Sequence, residues 1–158
     1  MSFASIKSAV TPLIVAAVTA GGPVTVRDRN QSEQLIPPLS QLPLVLLRDR
    51  PSAEKPLAVA YADRVWWLEC TLWAAFPIDT DQSTYDIMRE QLAQALRGHT
   101  LMGGAVSADP TFGTQVYVSG RELQQHDYPA IASGTGQVLR HTIVSCLVRE
   151  SISFAAVA

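Results

Sequence analysis

The chain reads as an α+β domain: a mixed or antiparallel β-sheet packed by an N-terminal helix and one central amphipathic helix. Three observations carry this expectation. The run 64–76 (RVWWLECTLWAAF) alternates at period two, which places Trp66, Leu68, Cys70, Leu72, Ala74 and Phe76 on one face of a strand. The run 80–97 repeats at helical spacing instead, with Tyr85, Met88, Leu92, Ala95 and Leu96 forming one stripe. Phe3, Ile6, Val10, Leu13, Ile14 and Ala17 make a second helical stripe near the N-terminus. A length of 158 residues fits a single domain over 1–158. A domain of that size buries roughly 70% of its unfolded surface and needs no disulfide or metal staple.

The elements follow in order along the chain. Lys7, the apolar run 9–18 and Val18-Thr19-Ala20 have the outline of a secretory leader. Pro12 interrupts that run, and it falls well short of the roughly 20 residues that span a bilayer, so a retained helix is expected. Thr11 and Pro12 suit an N-cap and a first helical turn. The helix is therefore expected to kink near Pro12 or to divide into two short helices sharing one face, with Gly21 and Gly22 as the stop. A short strand (23–27), a polar loop with Pro37-Pro38 (28–41), a second strand (43–48) and a polar turn around Pro51 (49–55) come next. The second face of the 64–76 strand carries Val65, Trp67, Glu69, Thr71 and Trp73, so it is only partly polar. A strand this long is expected to bend or to run beyond its own sheet.

Asp79, three residues ahead of Gln82, resembles a capping box for the central helix, and Gly98 closes it. Residues 103–106 suit the start of a strand. Residues 113–118 make a strand ended by Ser119-Gly120, and 121–136 read as a loop or an irregular hairpin arm. The final strand, 137–154, has apolar residues on both faces, neither of them purely apolar: Val144, Cys146 and Val148 line one, Leu139, Ile143 and Leu147 the other. Such a strand lies between two layers, either helix and helix or helix and neighbouring subunit.

Composition narrows the function classes. Hydrophobic residues make up 47% of the chain and charged residues 16%, against about 25% charged in an ordinary globular chain. That excludes wholesale disorder and implies that a partner covers some of the surface. A net charge of −2 excludes an autonomous electrostatic DNA binder. Cys70 and Cys146 are too few for a disulfide framework or a zinc site and lie in apolar strand runs, as buried free thiols of a reducing compartment do.

Motifs for chemistry are sparse. His99, His126 and His141 have no metal-ligand spacing, and His141 alternates with hydrophobes as a sheet residue does. Gly134-Thr135-Gly136 lacks the ending of a phosphate loop and reads as a turn. Asp79, Asp81 and Asp86 fit capping and the helix dipole better than a cation site. No catalytic, cofactor-binding or metal-binding residue is assigned, and an enzyme is not expected. Arginine dominates the basic residues, Lys7 and Lys55 being the lysines. Arg27-Asp28-Arg29 and Arg48-Asp49-Arg50 each end an expected strand. Arg27, Arg29, Arg48 and Arg50 thus share one rim, facing phosphate or a neighbouring subunit's carboxylates, or else mark two solvated turns neutralised locally.

The order of elements, with Ala20-Gly21-Gly22 after the first helix, Ile36-Pro37-Pro38, Leu42-Pro43-Leu44-Val45, and Ala95-Leu96-Arg97-Gly98 followed by Leu101-Met102-Gly103-Gly104, resembles the tail terminator (tail completion) proteins of long-tailed bacteriophages. The similarity covers nearly the whole chain. It implies an α+β subunit that assembles as a homo-oligomeric ring, typically a hexamer, on the head-proximal end of the tail tube. Such a ring stops tube polymerisation and joins the tail to a neck or connector protein. DNA passes through it without sequence-specific binding. The same resemblance implies a structural virion protein of the tail and neck, assembled in the host cytoplasm, with no membrane partner and no cofactor. Two alternatives stand beside it. One is another head–tail joining component, such as a neck stopper or tube-like subunit. The other is a small cytoplasmic ligand-binding domain with a pocket of Trp66, Trp67, Trp73 and Tyr85.

Overall fold

A computed structural model describes residues 3–29, 36–58, 61–97 and 115–153. Among these residues two helices and six strands follow one another as α1 (Phe3–Ala17), β1 (Thr25–Asp28), a 3-10 turn (Leu39–Gln41), β2 (Leu44–Ala58), β3 (Tyr61–Pro77), α2 (Ser83–Arg97), β4 (Gln115–Asp127), β5 (Ile131–Ala132) and β6 (Gln137–Ser153). The strands form one mixed sheet in the order β1-β2-β3-β6-β4, with β5 also paired to β6. β1 runs parallel to β2, and every other pairing is antiparallel. The α+β architecture expected from the alternation of periods is the one present.

Both helices pack on the same face of the sheet. The main core joins Val10, Ile14 and Val18 from the α1 side to Tyr85, Met88, Leu92 and Leu96 of α2. Beneath them lie Val45 and Leu47 of β2, Trp66, Leu68, Cys70, Leu72 and Ala74 of β3, and Val144, Cys146 and Val148 of β6. This is the face that the period-two reading of 64–76 selected. Gln91 ties the helices together, its side-chain oxygen accepting from the Thr19 and Ala20 backbone N–H groups at 3.1 Å each. Gly21 sits where a Cβ would lie 2.5 Å from Met88 Sδ, so its lack of a side chain lets the loop after α1 close over α2.

Several sequence expectations are corrected. Of the two readings of the N-terminal segment, the division into two short helices is not the one present: α1 is one helix with Pro12 inside it. Thr11 is no N-cap: its hydroxyl donates back to the Lys7 carbonyl at 2.8 Å, one turn earlier. Asp81, not Asp79, caps α2, accepting from the Ser83 N–H at 3.0 Å. The expected turn at 49–55 is strand. β2 continues to Ala58, with register shifts beside Pro51 and beside Pro56. Beyond Leu47 the outer side of β2 has no strand partner among the described residues, and a proline is tolerated at such an edge. Of the two readings of 121–136, residues 121–127 take the irregular hairpin arm: they belong to β4, which does not end at Ser119-Gly120. It shifts register between Ser119 and Leu123 and pairs on to Asp127. The expected strand start at 103–106 lies outside the described residues.

Candidate functional site

The second face of the sheet carries no helix among the described residues, and the strand register builds it row by row. Leu44, Trp73 and His141 stand side by side across β2, β3 and β6. The next row on this face is Arg27, Leu46, Thr71, Ile143 and His126, running from β1 to β4. Then come Arg48, Glu69, Ser145 and Gln124, and after them Arg50, Trp67 and Leu147. Leu44, Leu46, Trp73 and Leu139 cluster as a small second core, with Leu42 and Ile131 packed against it. β3 and β6 are therefore apolar on both faces: the helices cover one, and on the other Leu44, Leu46, Trp73, Leu139 and Leu147 are buried while Trp67 and Ile143 stay half-exposed.

The four arginines come together on this open face. Arg27 and Arg29 leave β1 beside Leu46 and Arg48 of β2, the Arg29 N–H donating to the Leu47 carbonyl at 2.9 Å. The expectation that Arg48-Asp49-Arg50 ends a strand is corrected, since β2 runs past it. Both arginines lie mid-strand, where alternation sends them to the same side. Arg27 donates to the Gln41 side-chain oxygen at 3.1 Å. Glu69, with its carboxylate 12% exposed, receives Arg48 Nη2 at 3.0 Å on one oxygen and Arg50 Nε at 3.2 Å on the other. The Arg50 guanidinium also lies over the Trp67 ring, 5.4 Å from its centroid. One carboxylate thus holds two guanidiniums and leaves the patch positive. Arg29 has no ion-pair partner among the described residues.

An aromatic stack borders this patch. His141 lies between Trp73 and Tyr128, with centroid distances of 4.1 and 4.4 Å and near-parallel planes. His126 meets Tyr128 edge-on at 4.5 Å. Burial pushes the His141 pKa below its ordinary value, and the neighbouring His126 lowers it further. On one side of Tyr128 is a hollow of about 210 Å³ lined by Arg29, Leu46, Thr71, Trp73, His141 and Ile143. On the other is a hollow of about 460 Å³ that includes Arg50, Glu69, Gln124, His126 and Ser145. Sequence reasoning marked the arginines but missed the stack and the role of Glu69. Glu69 was visible as the one acidic residue within the apolar run 65–76, whereas the stack exists only through the β3–β6 register.

The opposite face holds a polar clamp rather than a site. The Tyr85 hydroxyl meets Thr142 Oγ1 at 2.6 Å, and Thr142 donates to Asp127 at 2.8 Å. Asp127 in turn pairs with Arg89 at 2.7 Å. Because Thr142 gives its own proton to Asp127, the Tyr85 hydroxyl is the donor to Thr142, and burial pushes the phenol up to about 12. Cys70 and Cys146 are free, buried thiols in the main core, and desolvation raises both. Among the described residues no group of three His, Cys, Asp or Glu side chains converges as a metal site. No helix among them is long and apolar enough to cross a membrane. The pocket imagined for Trp66, Trp67, Trp73 and Tyr85 does not form: Trp66 and Tyr85 belong to the main core, Trp67 and Trp73 to the open face. Comparison with known proteins finds no matching family model and no matching curated relative.

Proposed function

We propose that this chain is a ring-forming structural subunit of tail-terminator type, seated on the head-proximal end of a phage tail tube and joining it to a neck or connector protein. The observation that carries the reading is the open face of the sheet. Its two central strands present half-exposed Trp67 and Ile143 beside arginines, over buried Trp73 and Leu147, on a side that no helix among the described residues covers. A face of this composition suits a neighbouring subunit: arginine and aromatic residues are the types enriched in interface cores. The order of elements in the sequence, which resembles that family, supports the choice of a tail-terminator ring as the assembly. On this reading the sheet and helices build the ring, and DNA passes through it without being read.

Native mass by light scattering over a range of concentrations tests the assembly. The expected result is a closed species of about six chains, each of 17.1 kDa. Adding purified tail tubes then tests the role. A single ring at one tube end supports a terminator, protein repeating along the tube identifies a tube-type subunit, and tubes left bare overturn the reading.

A further inference from the structure

We infer that the open face of the sheet docks the turn and first half of α2 from the next copy of this chain, with Ile78 entering the hollow beside Tyr128 and Asp79 meeting Arg29. The inference rests on the ring reading above and names the two surfaces that would make the ring. Its first support is charge. Across the rows from Leu44 to Leu147 the open face carries Arg27, Arg29, Arg48 and Arg50 against the single carboxylate of Glu69 among the described residues. The segment 78–90 carries Asp79, Asp81, Asp86 and Glu90 against the single guanidinium of Arg89. Arg29 and Asp79 both lack an ion-pair partner among the described residues and are both exposed. Each supplies what the other needs.

The second support is apolar. Ile78 and Ile87 are the two most exposed large hydrophobic residues described, at 64% and 52%. Both lie in the acidic segment, and nothing within the described chain covers them. The 210 Å³ hollow has a floor of Leu46, Trp73 and Ile143 and a rim at Arg29. It therefore offers an apolar seat next to a cation, matching an aliphatic side chain followed directly by a carboxylate. The two surfaces belong to different layers of the subunit, sheet on one side and helix on the other. A contact between them is heterologous and leaves each copy one free socket and one free plug, as a closing ring requires.

Two exposed substitutions and their combination test this. Arg29→Glu and Asp79→Lys should each weaken self-association by about tenfold or more, because each sets like charges against one another. Neither should shift the urea midpoint measured on dilute protein. Both changes in one chain recreate an opposite pair with its sign reversed, and should return association to within about threefold of the unmodified chain. An oligomer indifferent to both single changes, or a double variant that stays dissociated, overturns this interface and leaves the ring reading standing. An unmodified chain that stays monomeric at every concentration overturns the ring reading and the interface with it.

Discussion

Glu69 is a carboxylate set where its neighbours on the strand would suggest an apolar side chain, and it is tolerable because two arginines of β2 reach it. Glu69→Gln removes the charge and leaves Arg48 and Arg50 facing each other. With both guanidiniums nearly half-exposed, water screens much of that repulsion, so the expected loss is about 1 kcal/mol in urea unfolding. His141 gives a prediction in pH. Burial, then the nearby His126, lowers its pKa in the folded chain below the ordinary 6.5. The unfolded chain therefore takes up this proton more readily. Stability is full above about pH 6.5 and falls as the pH drops towards the folded value. The urea midpoint should accordingly be lower at pH 5.5 than at pH 7.5. His141→Gln should shrink that difference, and an unchanged difference would show that other groups set it. At this scale the sequence was informative about residue type and face: Glu69, Trp67 and Trp73 were placed together on the mixed face of β3. Their partners were hidden, since Arg48, His141 and Tyr128 meet them only through strand register.

Among the elements, α2 owes its seat to more than its apolar stripe. The chain of donors from Tyr85 through Thr142 to Asp127, closed by Arg89, ties the helix to β6 and β4 at once. Thr142 is fully buried, so Thr142→Val leaves the Tyr85 hydroxyl without its acceptor and deprives Asp127 of a donor. The expected cost is about 1–3 kcal/mol, with faster hydrogen exchange across α2, while Thr142→Ser keeps both contacts and most of the stability. Exchange confined to its ordinary rate in the valine variant would show that the apolar stripe alone holds the helix. The helices and the long strands were legible because their periodicity is local and uninterrupted. β2 and β4 were cut short in the reading for equally local reasons. Pro51 and the polar residues around it look like a turn, and Ser119-Gly120 looks like a stop. The structure overrides both signs, by register shifts beside the prolines of β2 and by a register shift within β4.

For the whole molecule, the decisive fact was non-local. That β6 is apolar on both sides could be read from alternation, but not which side the helices take. Both take the same one, and this leaves the other apolar side of the strand without a helix among the described residues. The four arginines were found by their spacing, while their convergence on that surface depends on β1 lying parallel to β2. One further consequence comes from the cysteines. Cys146 pairs with Leu68 and Cys70 with Val144, so the two thiols are diagonal neighbours across the two central strands. They are sealed beneath both helices. A thiol reagent can reach them only when those strands come out from under the helical layer, which makes the pair a built-in clock for opening of the core. Labelling of the folded chain should be slow, with both sites modified together, and should accelerate in step with urea unfolding. Fast, independent modification of one site would mean that β3 and β6 open separately.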